Sequence, residues 1–134
     1  MKKIVLFILL IISSLAVAQK KTSVKESNEK TEKYSLYKTH AHASYYNDKF
    51  NGKRTASGRK FNNSKLTAAH KKFPFGTKLK ITNEKNNKSV IVEVIDRGPY
   101  SKRREIDLTK KAFMKIASNK GSGSLKVKIE VLKN

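Results

Sequence analysis

The sequence predicts a small β barrel with one short helix. Three observations support this fold class: a final segment in which apolar and polar residues alternate, a strand-turn-strand pattern in the middle of the chain, and a single segment with helical spacing. Alternation with a period of two is typical of a strand that is buried on one face. Several short strands joined by long irregular loops favour a small mixed barrel, although the pattern alone does not name its topology.

Two strands are predicted in the first part of the ordered domain. The first runs from His40 to Tyr46. The second runs from Thr77 to Asn83 and places Leu79 and Ile81 on the same face. These two side chains are therefore expected in the core.

A third strand is predicted from Ser89 to Ile95. It is apolar on both faces apart from Glu93, which predicts a strand buried on both sides. The preceding loop contains Asn86 and Asn87, and asparagine tolerates the left-handed backbone that a hairpin turn requires. The second and third strands should therefore form a hairpin.

The helix and the last strand complete the barrel. Thr109 has the side chain of a helix N-cap. The residues that follow at helical spacing form one apolar face: Ala112, Phe113, Ile116 and Ala117. Gly121 and Gly123 are expected to end the helix and turn the chain back into a half-buried strand from Leu125 to Val131.

The N-terminal segment has the pattern of an export signal. Residues 1–18 contain two lysines, an apolar run and the small residues Ala16 and Ala18, which predicts a signal peptide with cleavage before Gln19. The apolar run is short for a membrane span, and a retained N-terminal anchor is the alternative. Residues 19–38 are rich in charged and hydroxyl side chains and predict a disordered basic tether, and residues 39–134 are predicted to form the ordered domain.

The absence of cysteine restricts the chemistry of the chain. It excludes disulfides, thiolate metal sites, a cysteine nucleophile and a lipidated cysteine. Zinc would have to be bound by His40, His42 and His70, and a His-x-His pair without a clear third ligand is weak evidence for a site. We therefore predict no metal, no cofactor and no lipid anchor.

The chain is strongly basic, with a formal net charge of +21. Such an excess attracts polyanions, among which nucleic acid is the usual partner. Export makes the carboxylates of peptidoglycan a more suitable partner, so we predict no nucleic-acid partner, no stable membrane anchor after signal cleavage, and a monomer in the periplasm or cell envelope. A generally solvated basic surface is the alternative interpretation.

Two blocks of the sequence carry a resemblance to a known family. They read ASYYNDKFNGKRTASGRKFNNSKLTAAHKKFPFGTKLKITN and VIDRGPY, between about Ala43 and Tyr100. This stretch resembles the RlpA-like (rare lipoprotein A) family of bacterial cell-wall proteins, which are related to expansins. The resemblance implies a six-stranded double-psi β barrel whose crossing loops bring both blocks into one groove, and a peptidoglycan glycan strand as the partner.

Asp96 is the first candidate for a catalytic residue. It follows an apolar strand and precedes a tight Arg-Gly-Pro turn, a position at which functional side chains are often held. The matching aspartate in the family lines the glycan cleft, which implies an acid/base role. The alternative is that Asp96 caps the turn through backbone amides, and both roles are compatible.

His70 is the second candidate. It ends the segment LTAAH, and a lone histidine is more often a structural group than a catalyst. The matching histidine of the family belongs to the active site, so the resemblance implies a catalytic role beside Asp96. Asp107, in the block EIDLT, is a reserve candidate for which a helix-capping role is the alternative.

The chain departs from the family at two positions. Where RlpA enzymes commonly have two acids after TASG, this chain has Arg59 and Asn62, and neither side chain donates a proton at neutral pH. We assign both to substrate binding, with Arg59 expected to grip a substrate carboxylate. The other predicted substrate-binding residues are Tyr46, Thr67, Arg97 and Tyr100, of which the two tyrosines are expected to be exposed.

The resemblance therefore implies an endolytic lytic transglycosylase. Such an enzyme cleaves MurNAc-GlcNAc strands, here expected to be naked strands, to 1,6-anhydroMurNAc products. One alternative is a non-catalytic, expansin-like wall binder, because Arg59 and Asn62 replace the usual acids. A second alternative is a basic secreted protein that binds anionic lipid or extracellular DNA through charge alone, with a steep dependence on salt.

Overall fold

Residues 33–133 are described by a computed structural model. In this part of the chain six strands close into a barrel in the order β1-β5-β2-β4-β3-β6, and one α-helix packs against it. In chain order the elements are β1 (Tyr34–Tyr45), a short 3₁₀ turn (Asp48–Phe50), β2 (Thr67–His70), β3 (Lys78–Asn83), β4 (Ser89–Asp96), β5 (Ile106–Leu108), α1 (Lys110–Ile116) and β6 (Leu125–Leu132). The predicted six-stranded barrel with one short helix is thereby confirmed.

The first strand begins earlier than predicted. β1 starts at Tyr34, which is paired with Leu132 of β6, so residues 34–38 belong to the barrel and their assignment to a disordered tether was wrong. The first half of the strand shows no alternation of apolar and polar residues, because its side chains are mostly exposed. The register of its pairing with β6 also shifts between Lys38 and Ala41, and His40 in this interval adopts a positive φ of 54°. The predicted signal peptide and the rest of the predicted tether lie outside the described residues.

Two short strands were not predicted. β2 and β5 contain 4 and 3 residues, too few for a visible alternation. They pair with each other in antiparallel orientation, while β2 pairs with β4 and β5 pairs with β1 in parallel orientation. These two strands place the polar residues described below next to one another.

The hairpin of β3 and β4 agrees with the prediction, with one exception. Leu79 and Ile81 are fully buried, and Asn87 adopts a φ of 60° in the turn. Ile91, however, is 38% exposed, so the prediction that this strand is buried on both sides was wrong. Glu93 is half-buried, and the buried residues of the strand are Val90, Val92, Val94 and Ile95.

The helix is held at both ends by side chains. Thr109 is the N-cap, as predicted, and accepts from the backbone N–H of Ala112 at 3.4 Å. At the other end the carbonyl of Ile116 accepts from the amides of Asn83 and Asn86, at 2.7 and 3.0 Å. The helix ends at Ile116, before Gly121 and Gly123, which is contrary to expectation. The side chains of the β3–β4 hairpin provide hydrogen-bond donors for a carbonyl of its last turn.

The core lies inside the barrel and beneath the helix. Its largest fully buried side chains include Phe113 and Ile116 of α1, Leu79 and Ile81 of β3, and Ile129 of β6. Val127 and Leu125 alternate with exposed or half-exposed lysines along β6, which confirms the predicted half-buried final strand. No helix between residues 33 and 133 is long and apolar enough to cross a membrane.

Candidate functional site

A groove of about 590 Å³ forms where the end of β1, the loop after it, the turn after β4 and the start of β5 meet. We call it the Asp96 groove. Its lining residues are Tyr45, Tyr46, Asn47, Lys49, Phe50, Lys53, Arg54, Asp96, Arg97, Gly98, Pro99, Tyr100, Arg104 and Asp107. Of the predicted site residues, it brings together Asp96, Tyr46, Arg97 and Tyr100.

Asp96 is the last residue of β4 and is held by three hydrogen bonds. Its Oδ1 accepts from the backbone N–H groups of Ala56 and Arg97, both at 2.9 Å. Its Oδ2 accepts from the hydroxyl of Tyr46 at 2.5 Å. The side chain therefore caps the turn, as the alternative interpretation expected, while it also lines the groove. Hydrogen bonds from three donors fix the orientation of the carboxylate.

Tyr46 donates a hydrogen bond to Asp96, and its ring is packed against other aromatic rings. Its ring stacks on Phe61 with centroids 4.3 Å apart, and it makes an edge contact with the Phe50 ring with centroids 5.6 Å apart. Burial, together with the hydrogen bond to Asp96, raises the pKa of Tyr46 well above its usual range. The hydroxyl therefore stays protonated and donates. The expectation that Tyr46 is exposed was wrong, whereas Tyr100 is 91% exposed at the rim of the groove.

A second carboxylate, Asp107, lies in the same groove. Asp96 of β4 and Asp107 of β5 are both paired with Ala69 of β2. Directly paired residues point to the same face, and two strand spacings put the Cα atoms of the two aspartates roughly 10 Å apart. Ser44 donates to Asp107, and the Arg104 guanidinium lies 3.2 Å from it.

The alternative role expected for Asp107, capping the helix, was wrong. Thr109 provides that cap instead. A signal was available in the apolar residues Ile106 and Leu108, which flank Asp107 as in a short strand and are both fully buried. Asp107 must then point to the opposite face.

His70 is not part of the groove, and the expected pairing of its ring with Asp96 is not seen. The ring is 0% exposed and packs against Tyr37 and Phe73. Its Nε2 lies 3.0 Å from Oε2 of Glu105, but the contact is not aligned as a regular hydrogen bond. In this conformation the ring is out of reach of a glycan.

The protonation state of His70 follows from its surroundings. Its Nδ1 accepts from the backbone N–H of Lys72 at 3.1 Å, so Nδ1 carries no proton. Burial lowers the pKa of His70, and this effect outweighs the opposing attraction of Glu105. The ring is therefore neutral at pH 7, with its proton on Nε2 facing Glu105.

Glu105 links His70 to the first strand and was not predicted. Burial tends to raise its pKa, but the hydrogen bond from Lys38, at 2.8 Å, and the nearby His70 and Lys71 hold the pKa of Glu105 below its usual range. The Lys38–Glu105 contact joins β1 to the segment that leads into β5. No sequence signal indicated this pair, because its members are 67 residues apart.

Arg97 anchors the turn that follows Asp96. Its Nη1 donates to the carbonyl of Phe73 at 2.8 Å and to that of His70 at 3.4 Å, and the guanidinium lies 4.1 Å from the ring centroid of Phe75. The guanidinium is therefore committed to the loop after β2. His70 and Asp96 are connected through Arg97 rather than through a shared cavity.

The remaining predicted residues line a different depression. Arg59, Asn62 and Thr67 surround a cavity of about 680 Å³, and Arg59 forms an ion pair with Glu93 at 2.6 Å. In the sequence pattern Glu93 indicates only an interruption of an apolar strand. The predicted substrate-binding residues are thus divided between two depressions. Within residues 33–133 no cluster of three metal-binding side chains is found.

Comparison with known proteins shows to which family the chain belongs. Residues 38–129 match the family model described as "Lytic transglycolase". Among curated proteins, the endolytic peptidoglycan transglycosylase RlpA of Rickettsia felis is 51% identical over 96 residues, which cover 69% of this chain and 42% of that protein. The RlpA of Rickettsia prowazekii is 46% identical over 113 residues, which cover 76% and 35%. The chain thus spans less than half the length of these relatives.

Solved structures with the same fold are more distant in sequence. A Clavibacter michiganensis expansin mutant in complex with cellohexaose has a TM-score of 0.57 and 18% identity, and the match covers 71% of this chain and 50% of that one. The Streptomyces papain inhibitor has a TM-score of 0.56 and 23% identity over 72% and 94%. These likenesses confirm the fold. The protein belongs to the lytic transglycolase family, with the RlpA-like double-psi β barrel that its sequence resembles.

Proposed function

We propose that this protein is an endolytic lytic transglycosylase that cleaves peptidoglycan glycan strands in the Asp96 groove, within the cell envelope. The observation that carries the proposal is the carboxylate of Asp96, oriented by three donors in a groove that also contains the carboxylate of Asp107. Relatives that share about half of the matched residues are named for the same activity.

The reaction needs one proton to move and no water. The bond between C1 of MurNAc and the oxygen of the next sugar breaks, while the 6-hydroxyl of the same MurNAc attacks C1 and forms the anhydro ring. Asp96 takes the proton of the 6-hydroxyl and delivers it to the leaving oxygen. Because the reaction neither gains nor loses a proton, a single carboxyl group is sufficient, unlike the carboxylate pair of a hydrolase.

Asp107 has a separate role in this proposal. Positive charge develops at C1 as the glycosidic bond breaks, and an ionised carboxylate nearby stabilises it. Ser44 and Arg104 hold the Asp107 carboxylate in place. His70 is a positioning residue: it fixes the loop after β2, to which Arg97 holds the turn that follows Asp96.

The test is cleavage of purified sacculi, followed by mass spectrometry of the soluble fragments. We expect anhydromuramic ends from the wild type and a loss of roughly 100-fold or more in Asp96→Asn, the range typical of removing a general acid/base. Glu130→Gln, a carboxyl change on β6 away from the groove, should retain the wild-type rate. Equal rates in the wild type and Asp96→Asn would exclude this mechanism.

A second candidate function is a wall-binding module without catalysis. It is favoured by the environment of Arg59, whose guanidinium forms an ion pair with Glu93. The resemblance implies an acid at the position that Arg59 occupies. In the same experiment such a protein would pellet with sacculi but release no soluble fragments. Binding without release, in wild type and Asp96→Asn alike, would establish this function instead.

A further inference from the structure

The cavity around Arg59 is separate from the Asp96 groove but shares a wall with it. Its approximate volume is 680 Å³, and we call it the Arg59 cavity. Phe61 lines the Arg59 cavity and stacks on Tyr46, which lines the groove. Gly52 lines the cavity, whereas the next residue, Lys53, lines the groove. The groove and the cavity are therefore neighbours on either side of one loop, residues 52–61.

The shared wall is rigid because the loop that forms it is tied together by backbone hydrogen bonds. Gly52 donates to the carbonyl of Phe61 at 2.9 Å, and Phe61 donates to that of Lys53 at 2.7 Å. Farther along the loop, Thr55 donates to the carbonyl of Arg59 at 2.8 Å. The position of Arg59 relative to the groove is thus fixed by the backbone.

The charges of the Arg59 cavity favour an anion. Arg59, Lys60 and Lys65 line it together with one carboxylate, that of Glu93. Glu93 contacts the Arg59 guanidinium at 2.6 Å and the Lys78 ammonium at 3.4 Å, so it is already shared by two cations. It orients the guanidinium through one nitrogen, and the Arg59 side chain is still 54% exposed. Donors therefore remain for a second carboxylate.

We propose that the Arg59 cavity is a subsite for a carboxylate carried by the glycan strand whose backbone lies in the Asp96 groove. This inference rests on the proposed function, because it takes the occupant of the groove to be peptidoglycan. Guanidinium groups bind carboxylates through two parallel hydrogen bonds, and Lys65 and Lys60 add long-range attraction. The carboxylate has two possible sources, the lactyl group of MurNAc and the stem peptide attached to it.

Binding is measured in an Asp96→Asn background so that no strand is cleaved. Three probes are compared by calorimetry at one ionic strength: chitohexaose, which carries no carboxylate; amidase-stripped glycan oligomers, which carry lactyl carboxylates; and peptide-bearing oligomers. The test variant is Arg59→Gln with Lys65→Gln. The matched control, Lys115→Gln with Lys120→Gln, removes the same charge from exposed positions that do not line either depression.

We expect the protein to prefer a carboxylate-bearing oligomer to chitohexaose by about 10-fold or more, as a charge-assisted hydrogen bond provides. The test variant should lose this preference and the control should keep it. A preference shown already by stripped oligomers identifies the lactyl group as the source; one that appears only with peptide-bearing oligomers identifies the stem peptide. Equal affinity for all three probes, or a preference that survives in the test variant, would overturn the proposal.

The outcome is independent of the activity itself. If sacculi yield no anhydro ends, the proposed reaction fails, but the probes still report whether the cavity selects carboxylates. If the wild type cleaves strands and the binding preference is absent, only the subsite fails. Thermal midpoints of both double variants, measured in parallel, show whether each is folded.

Discussion

At the scale of single residues, the position of Ala69 determines what the groove can do. Its partners on the two neighbouring strands are Asp96 and Asp107, so the apolar side chain of Ala69 lies between the two carboxylates. Ala69 is 0% exposed, so a larger side chain there would also collide with the groups packed around it. The groove thus depends on a small residue that no search for catalytic side chains would select.

The hydroxyl of Tyr46 is expected to matter more than its ring. Tyr46→Phe removes the donor to Oδ2 of Asp96 but leaves the stack on Phe61. Losing a hydrogen bond to a charged group costs about 1.5–3 kcal/mol, so we expect release of anhydro ends to slow by roughly 10- to 100-fold. Tyr37→Phe, outside the groove, is the control, and a Tyr46→Phe rate equal to that of the wild type would contradict the supporting role.

The buried ring of His70 predicts how stability depends on pH. Its pKa is lowered in the folded protein by burial, so the unfolded chain binds a proton more readily. The stabilisation from keeping the ring neutral is complete above the ordinary pKa of 6.5 and declines as the pH falls below it toward the lowered folded value. Glu105, whose folded pKa is also lowered, adds a loss of the same sign only below its ordinary value of 4.5.

This dependence is measured as the thermal midpoint at pH 7.5, 6.5 and 5.5. The wild type should melt at progressively lower temperature as the pH falls. His70→Gln should be less stable at pH 7.5 but lose less on acidification, while His42→Gln, at an exposed position, should keep the wild-type slope. A slope that is the same in the wild type and His70→Gln would show that another group is responsible.

At the scale of elements, the start of the helix depends on one hydroxyl. Thr109 is 0% exposed; it accepts from Ala112 and donates to the carbonyl of Lys65 in the segment before β2. Thr109→Ala therefore removes a cap and leaves a carbonyl without its partner, at a cost of about 1–3 kcal/mol. For a domain of this size the midpoint should fall by roughly 5–20 °C.

Thr109→Ser provides the matched comparison. Serine keeps the hydroxyl and removes only a methyl group, so its midpoint should lie much closer to that of the wild type. If serine and alanine are equally destabilising, packing of the methyl group rather than hydrogen bonding holds the start of the helix.

The sequence was sufficient to predict the elements whose local pattern is strong. The hairpin around Asn87, the helix after Thr109 and the alternating last strand were all recognised from spacing and turn residues. β2 and β5 were missed because their 4 and 3 residues are stabilised by neighbouring strands rather than by their own pattern. For the same reason Asp107 was interpreted as part of a helix start.

The candidate site was predictable only in part. Asp96 is a candidate because it stands between an apolar strand and a turn, which is local information, and it lines the groove. Whether Arg59 shares a cavity with Asp96, and whether His70 faces it, depends on how strands distant in sequence are paired. The backbone hydrogen bonds of the loop before β2 decide the first question, and the register of β2 with β4 and β5 decides the second. A single sequence does not show either set of pairings.

At the scale of the whole molecule, the net charge and the groove contribute to binding over different distances. The formal charge of +21 attracts any polyanion, but this attraction decays over about 8 Å at physiological salt and does not distinguish one anion from another. Selection must come from short-range contacts in the groove and the Arg59 cavity. High salt should therefore weaken the recruitment of the protein to sacculi more than it changes which bond is cleaved.

The boundary of the folded unit gives the last prediction. The described residues 33–133 belong to one compact unit, and β1 contributes to it from Tyr34 onward. A chain that starts at Lys33 should fold, whereas one that starts at Thr39, the boundary indicated by composition, loses the strand segment paired with the end of β6. It also loses the Lys38–Glu105 contact and the Tyr37 ring that covers His70.

These losses should be large because they uncover a buried ring and unpair a strand. Exposure of aromatic surface and loss of a hydrogen-bonded ion pair together cost about 2–4 kcal/mol, and the midpoint should fall by roughly 10–30 °C relative to the chain that starts at Lys33. The shorter chain should also lose the pH dependence assigned to His70, since water would then reach the ring in the folded state. Equal midpoints for the two chains would instead mean that residues 34–38 behave as the tether that their composition predicts.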